Sequence, residues 1–326
     1  MPNIVTIGGG SGQHGILIGL LGFAKKHSDK LRQEDITAIV TTFDTGGHTK
    51  MLLDARKPKD VKGNFLPPGD IRQCLAAMAN NEDAKKLFEL RLKEGYNENS
   101  SWGNNFLDGA YELFNNNFEK AINMAKKFLD VKGNVLPCTL TRAEFSGVLK
   151  NGYEVKGEED LVEKSVWFNS PIKSIAIKPA NIKANEKAVK AILEADIIVL
   201  SQGSLYTSLL PNILVPGIAQ AIRKSEAKKV YVMNIVTQRG ETDGFTAQDH
   251  IDVIEDHLGK EVIDKILIHE GDISDSMKKK YESEGQELVV DNLVDRRAVR
   301  TRLIADDSPV LRHDPQKVAE IIMKSK

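Results

Sequence analysis

A β-branched run that breaks into glycine constrains this chain more than any other feature. Ile4-Val5-Thr6-Ile7 meets Gly8-Gly9-Gly10-Ser11-Gly12, and apolar residues at helical spacing follow from Ile16 to Ala24. A strand without polar alternation belongs in a sheet covered on both faces. The reading is a strand over Asn3–Ile7 and a helix over Gln13–Lys26. A second apolar strand, "ITAIVTT" at Ile36–Thr42, completes a βαβ unit, the opening of a mostly parallel sheet. The loop between them, Gly10-Ser11-Gly12-Gln13-His14-Gly15, fits G-x-G-x-x-G. Glycines let backbone N–H groups approach an anion, and the next helix presents its positive end. The pattern alone leaves a dinucleotide and any other phosphate ligand both open. Asp44 stands where a dinucleotide fold holds the ribose. However, Thr45-Gly46-Gly47 follows with no clear helix, which weakens the nicotinamide reading.

From Pro68 to Leu129 the spacing is helical. Ile71, Leu75 and Met78 recur at i, i+4, i+7 behind Asp70, and further helices are expected over Glu82–Lys93, Asn104–Leu113 and Phe118–Leu129. "NEDAKK", "NENSS" and "NNNF" read as their turns. Strand character returns with "NVLPCTL" and "EFSGVLKNGYEVKGE", where Asn151-Gly152 marks a hairpin. After Ile172–Ile177, helix and strand alternate again. The last helix, "DPQKVAEIIMKS", is capped by Asp314 with Pro315 at its first position. The expectation is an α/β fold with a Rossmann-like, doubly wound sheet. One domain spans residues 1–326, with a helical insertion at about 68–130.

Charge narrows the partners. The 45 basic and 46 acidic residues leave a net charge of -1, and no basic block exceeds Lys278-Lys279-Lys280, which argues against nucleic acid. Cys74 and Cys138 have no metal-ligand spacing and fit a reducing cytosol. The run Ile16–Ala24 is far short of the roughly 20 apolar residues that span a bilayer. A cytoplasmic protein without a membrane partner is expected; homo-oligomerisation is left open.

In doubly wound sheets ligands gather beyond the carboxyl ends of the strands. Four such ends carry small or polar residues: the glycine loop, Asp44-Thr45-Gly46-Gly47-His48, Ser201-Gln202-Gly203-Ser204-Leu205-Tyr206-Thr207-Ser208, and Asn234 to Gly244. Ser204 can cap a helix and still face an anion. "TQRGETDGFTAQDH" taken alone reads as a solvated loop before a helix capped by Thr246. His250 and His257, seven apart, read as a polar helix face rather than metal ligands. No nucleophile elbow or zinc motif is present.

"IGGGSG", "LPPGDIRQCLAAM", "GSLYTSLLPNILVPGIAQAI" and "NIVTQRGETDGFTAQDHI" together resemble the gluconeogenesis-factor (YvcK) family of the CofD-like superfamily. The resemblance runs from the first strand to the final helix. It implies a cytoplasmic regulator that binds UDP-N-acetylglucosamine, is linked to central carbon metabolism and cell shape, and requires no cofactor. The related CofD branch implies the alternative, a magnesium-dependent transferase of the 2-phospho-L-lactate transferase type acting on a nucleotide diphosphate donor. The ligand-binding set so implied is Gly9, Gly10, Ser11, Gly12, Asp44, Gly69, Asp70, Asn104, Gly203, Ser204, Tyr206, Thr207, Asn234, Thr237, Gln238, Tyr281 and Arg312. No catalytic residue is assigned. Asp44, Asp70 and Asp243 would be the magnesium ligands of a transferase. The chain departs from the family pattern at four places. Thr45 stands for a second aspartate, Ser201-Gln202-Gly203-Ser204 for Gly-Pro-Gly-Ser, Trp102-Gly103-Asn104 for a longer G-H-x-L-G-N segment, and Arg239 for a proline.

Overall fold

The computed structural model describes residues 1–56, 65–94, 98–305 and 310–325. The chain begins with β1 (Ile4–Gly8), α1 (Gly10–Lys26), β2 (Ile36–Val40) and α2 (Gly47–Arg56). Four helices follow before the next strand: α3 (Gly69–Ala77), α4 (Glu82–Glu89), α5 (Trp102–Leu113) and α6 (Phe118–Phe128). Then come β3 (Asn134–Pro137), β4 (Glu144–Leu149), β5 (Glu154–Lys156), α7 (Glu158–Trp167) and β6 (Ile172–Lys178). The second half runs α8 (Glu186–Leu193), β7 (Ile197–Leu200), a π-helical turn (Leu205–Leu209), α9 (Leu210–Leu214), α10 (Ile218–Lys224), β8 (Lys228–Val232) and α11 (Ala247–Leu258). It ends with β9 (Lys265–His269), α12 (Asp275–Ser283), β10 (Ala298–Thr301) and α13 (Pro315–Met323).

Seven strands pair in the order β10-β9-β8-β7-β1-β2-β3, all in parallel. The chain winds outward from β1 through β2 to β3, then returns to the other side of β1 at β7. Winding therefore reverses between β1 and β7, where such sheets form a ligand crevice. Both faces are covered. Ile4 packs in one core with α1, α3 and α13, while Val5 and Ile7 belong to the opposite core with α9, α10 and α11. Adjacent strand residues point to opposite faces, so an unbroken apolar strand feeds both cores. Each such side chain contributes about 1.5–3 kcal/mol on burial. No single helix among the described residues is long and apolar enough to cross a membrane.

Several elements differ from the sequence expectations. The α1 helix starts at Gly10, three residues early, because Gly9 is extended and supplies the cap position from its backbone. A helix, α2, does follow Asp44; Gly47, at φ +48°, opens it without a steric cost. The α4 helix stops at Glu89, since Arg91 bridges back to Ser101. The turn expected at "NENSS" begins at Asn97, outside the described residues. The hairpin at Gly152 forms, yet β5, β4 and β6 make a separate antiparallel sheet and not an extension of the main one. His250 is fully buried, so it is a core residue and not part of a polar face. Its Nδ1 lies 2.9 Å from the Thr246 carbonyl oxygen.

Buried Gln13 fixes the geometry beneath the glycine loop. Its Nε2 donates to the Thr6 carbonyl (3.1 Å), Thr6 Oγ1 (2.9 Å) and the Ile39 carbonyl (3.0 Å), and its Oε1 accepts from Cys74 Sγ at 3.4 Å. One side chain thus ties α1, β1, β2 and α3 together.

Candidate functional site

Two adjoining cavities meet at the glycine loop. The smaller, about 290 Å³, is lined by Gly9, Gly10, Ser11, Gly12, Asp44, Asp70, Glu158, Gly203, Ser204, Thr207, Ser208, Gln238 and Glu241. The larger, about 560 Å³, takes in Ser11, Gly12, His14, Gln202, Gly203, Asn234, Gln238, Arg312 and His313. Ser11, Gly12, Gly203 and Gln238 belong to both. A still larger cleft of about 690 Å³ lies between α2 and the small sheet and shares none of these residues.

Close packing shapes the shared wall. A Cβ on Gly12 would fall 1.9 Å from the Gln202 carbonyl oxygen, so Gly12 permits α1 to touch the loop after β7. Asn234 clamps the other side: its Oδ1 accepts the Gly203 N–H (2.8 Å) and its Nδ2 donates to the Gly203 carbonyl (2.7 Å). Behind Gly203, Ser204 caps the π-helical turn by accepting the Thr207 N–H at 2.9 Å. Glu241 completes this cap. Its carboxylate accepts from the Ser204 hydroxyl, from the Tyr206 N–H (3.1 Å) and from Thr207 Oγ1 (3.4 Å). The loop that carries Glu241 is therefore no solvated loop at that residue, which is 7% exposed. Thr246 caps α11 with a reciprocal bond from Asp249, as the spacing suggests.

The smaller cavity is acidic. Asp44 accepts the Gly46 N–H (2.9 Å) and the Thr49 hydroxyl (2.8 Å). Gly69 touches it so closely that a Cβ there would meet Asp44 Oδ2 at 2.3 Å. Burial raises the Asp44 proton affinity against those two donors. Asp70 rises well above the usual range, through burial first and then through Asp44 and Glu158. Glu158 is pushed up to about 7 by burial and then by Asp44. Burial likewise raises Glu241. Glu158 arrives at the first turn of α7, whose cap position is Gly157 and has no side chain to offer. Thr45 serves instead from 113 residues away. Its Oγ1 accepts the Glu158 N–H (3.0 Å) and the Glu159 N–H (3.5 Å), and its own N–H donates to Glu158 Oε2 (3.3 Å).

The fold therefore brings Gly9, Gly10, Ser11, Gly12, Asp44, Asp70, Gly203, Ser204, Thr207, Asn234, Gln238 and Arg312 to the two cavities, although Arg312 is some 300 residues from the glycine loop. Gly69 supports Asp44 from beneath. Tyr281 stands one layer back, where its hydroxyl accepts the Leu311 N–H at 2.9 Å and braces the segment carrying Arg312. Tyr206 packs edge-on against Phe245, and Thr237 pairs with Glu287; neither lines a cavity. Asn104 is buried at the start of α5, outside both linings. Asp243 is exposed and closes its own turn by accepting the Gly240 N–H at 2.6 Å, so it stands apart from Asp44 and Asp70. Glu158, Glu241 and Ser208 are cavity residues that the sequence reading did not select. The acidic Gly157-Glu158-Glu159-Asp160 run, a helix first turn, was the available signal for Glu158.

Comparisons with known proteins bear on the family and the fold. The profile of the CofD family, described as 2-phospho-L-lactate transferase CofD, matches residues 4–308. A gluconeogenesis factor of Halalkalibacterium halodurans is 38% identical over 99% of this chain and 96% of its own length. That of Bacillus subtilis is 35% identical over 99% of this chain and 97% of its own. A crystal structure of a UPF0052-family protein from Bacillus halodurans superposes with a TM-score of 0.87 at 36% identity, covering 99% of this chain and 98% of that one.

Proposed function

The chain belongs to the gluconeogenesis-factor family, built on a CofD-like domain, and from that membership we propose that it binds a nucleotide diphosphate sugar as a cytoplasmic regulator. UDP-N-acetylglucosamine is the ligand that the family resemblance implies, and central carbon metabolism and cell shape are the processes it would link. The observation that carries this reading is the continuity of the two cavities through the glycine loop. The 560 Å³ side has the size and partly apolar wall of a nucleoside site, with Ile18, Ile235, Val236 and Leu311 in its lining. Backbone N–H groups at the start of α1 suit the diphosphate. Arg312 offers a charge-assisted bond to it. The smaller cavity, with its carboxyl and hydroxyl groups, suits the hydroxyls of a sugar.

A transferase is the second reading, favoured by the carboxyl groups of Asp44 and Asp70 beside the glycine loop. Magnesium takes one or two carboxylates and completes its shell with waters and phosphate oxygens. Asp44 and Asp70 would hold it, and the ion would neutralise charge on the diphosphate. Against this, the Asp44 carboxylate already accepts from two donors of its own, the Gly46 N–H and the Thr49 hydroxyl.

Titration calorimetry with UDP-N-acetylglucosamine, with and without EDTA, separates the two. Under the regulator reading affinity changes little with EDTA, and prolonged incubation with magnesium releases no UDP or UMP. Steady nucleotide release that Asp44→Asn abolishes would overturn it in favour of the transferase.

A further inference from the structure

Glu241 reaches the smaller cavity from a tight turn. The Gln238 carbonyl accepts both the Glu241 N–H (3.0 Å) and the Thr242 N–H (2.9 Å), and Thr242 Oγ1 accepts the Gln238 N–H (2.8 Å). Gly240, at φ +84°, lets the chain reverse where a Cβ would come 2.8 Å from the Val162 carbonyl oxygen. The side chain that this turn delivers is buried. Its donors favour the ionised carboxylate, against burial, which disfavours it. A carboxylate has lone pairs and no proton to give.

Its two oxygens fix the hydroxyls beside it. Oε2 accepts the Tyr206 N–H at 3.1 Å and the Ser204 hydroxyl, so the Ser204 proton points into the wall. Ser204 Oγ meanwhile accepts the Thr207 N–H at 2.9 Å. The Thr207 hydroxyl lies against Ser204 Oγ and 3.4 Å from Glu241 Oε1, and the Glu158 carboxyl draws on it as well. Each of these is an acceptor within the protein, so the Thr207 proton also stays in the wall. Lone pairs are left toward the cavity, those of Thr207 Oγ1 first. Ser208 faces the glycine loop instead, its Oγ 3.9 Å from where a Cβ on Gly10 would stand. Phosphate donors therefore gather at that loop and not along the wall of Ser204 and Thr207.

We propose that Glu241 sets the hydrogen-bond polarity of this wall: by holding the Ser204 and Thr207 protons inward, it requires the ligand group bound there to be a hydrogen-bond donor, a sugar hydroxyl and not a phosphate. This rests on the nucleotide-sugar reading above and names the part of the ligand that the wall reads. Glu241 is a positioning residue in this role. Thr207 Oγ1 makes the contact.

Calorimetric titration of the full chain with UDP-N-acetylglucosamine, with analogues in which fluorine replaces one sugar hydroxyl at a time, and with UDP alone tests this. Fluorine keeps the polarity of the bond and loses the proton. In wild type at least one analogue should bind about tenfold more weakly than the parent, the effect of one hydrogen bond. Glu241→Gln brings an NH₂ into the network, which occupies a Thr207 lone pair or releases the Ser204 proton. Thr207→Val removes the acceptor, keeps the branched shape and leaves the turn's own N–H bond to Ser204, so it holds the test open if Glu241→Gln fails to fold. Each variant should close the gap between parent and analogue while UDP alone binds as in wild type. Absence of any gap in wild type overturns the inference, as does a gap that survives in either folded variant. Equal weakening of UDP and the parent would assign the wall to the diphosphate and also overturn it. Failure of wild type to bind UDP at all defeats the nucleotide reading itself, a separate outcome that takes this inference with it.

Discussion

Glu158 keeps its proton in a pH range where an exposed glutamate has lost it. Burial and the nearby Asp44 carboxyl push its folded value to about 7, against 4.5 for an ordinary glutamate. Between those values the folded chain binds more protons at this residue than the unfolded chain does, so stability falls as pH rises through the window. The contribution is complete below 4.5 and is lost as pH passes 7. Glu158→Gln cannot ionise, so its stability relative to wild type is expected to grow from pH 4.5 to 7 and level off above. Urea unfolding at a series of pH values checks this, and a difference that is flat with pH would contradict it. Gly12 shows why residue identity in the sequence understates a residue's work. Its place in G-x-G-x-x-G suggests room for a phosphate. In the fold the same missing Cβ lets two backbones touch at Gln202. Spacing reports that a glycine is needed there but not which neighbour requires it.

At the scale of elements, Thr45 joins two parts of the chain that no local pattern connects. It caps α7 in trans through the Glu158 and Glu159 N–H groups, and so docks the small antiparallel sheet beside the site. Loss of a capping hydroxyl costs about 0.5–2 kcal/mol, so Thr45→Ala should lower the unfolding free energy by that amount while Thr45→Ser retains it. Equal stability of the two variants in urea would show that the cap contributes nothing. Thr45 also explains which parts of the fold could be read in advance. The β1-loop-α1 unit and the strands from β7 onward follow short-range rules: unbroken apolar strands, helical spacing and local caps. The α2 helix was missed because Thr45-Gly46-Gly47 looks like a breaker, yet it is the entry to a helix. Glu158 and Glu241 were not legible because their place in the cavity wall depends on burial, and burial is set by residues far off in the chain. Asn234, Gln238 and the glycine loop were legible because they sit at strand ends.

Across the whole molecule, α1 and α13 pack together beside the larger of the two cavities. The α13 helix lies along α1 so tightly that a Cβ on Gly19 would come 2.0 Å from the Pro315 carbonyl oxygen, and one on Gly22 would come 2.3 Å from Gln316 Nε2. Asp314 caps α13 by accepting the Gln316 and Lys317 N–H groups at 2.8 and 3.1 Å. The segment just before that cap carries Arg312, braced from behind by Tyr281. The position of Arg312 beside Ser11 and Gly12 is thus tied to the packing of α13 on α1, at the edge of the same cavity. Two substitutions separate contact from placement. Arg312 is exposed, so Arg312→Ala should leave the melting temperature unchanged. It should also weaken UDP-N-acetylglucosamine binding by about 1.5–3 kcal/mol, the worth of a hydrogen bond to a charged group. Gly19→Ala does not alter Arg312 itself but meets the Pro315 carbonyl at the edge of the cavity and forces α13 outward, at an overpacking cost of about 1–3 kcal/mol. It should lower both the melting temperature and the affinity. In the double variant the affinity losses should fall short of their sum, because Gly19→Ala has already displaced the arginine that the second change removes. Additive losses in calorimetry would mean that α13 can shift without moving Arg312, and that the C-terminal helix stabilises the fold without positioning the ligand contact.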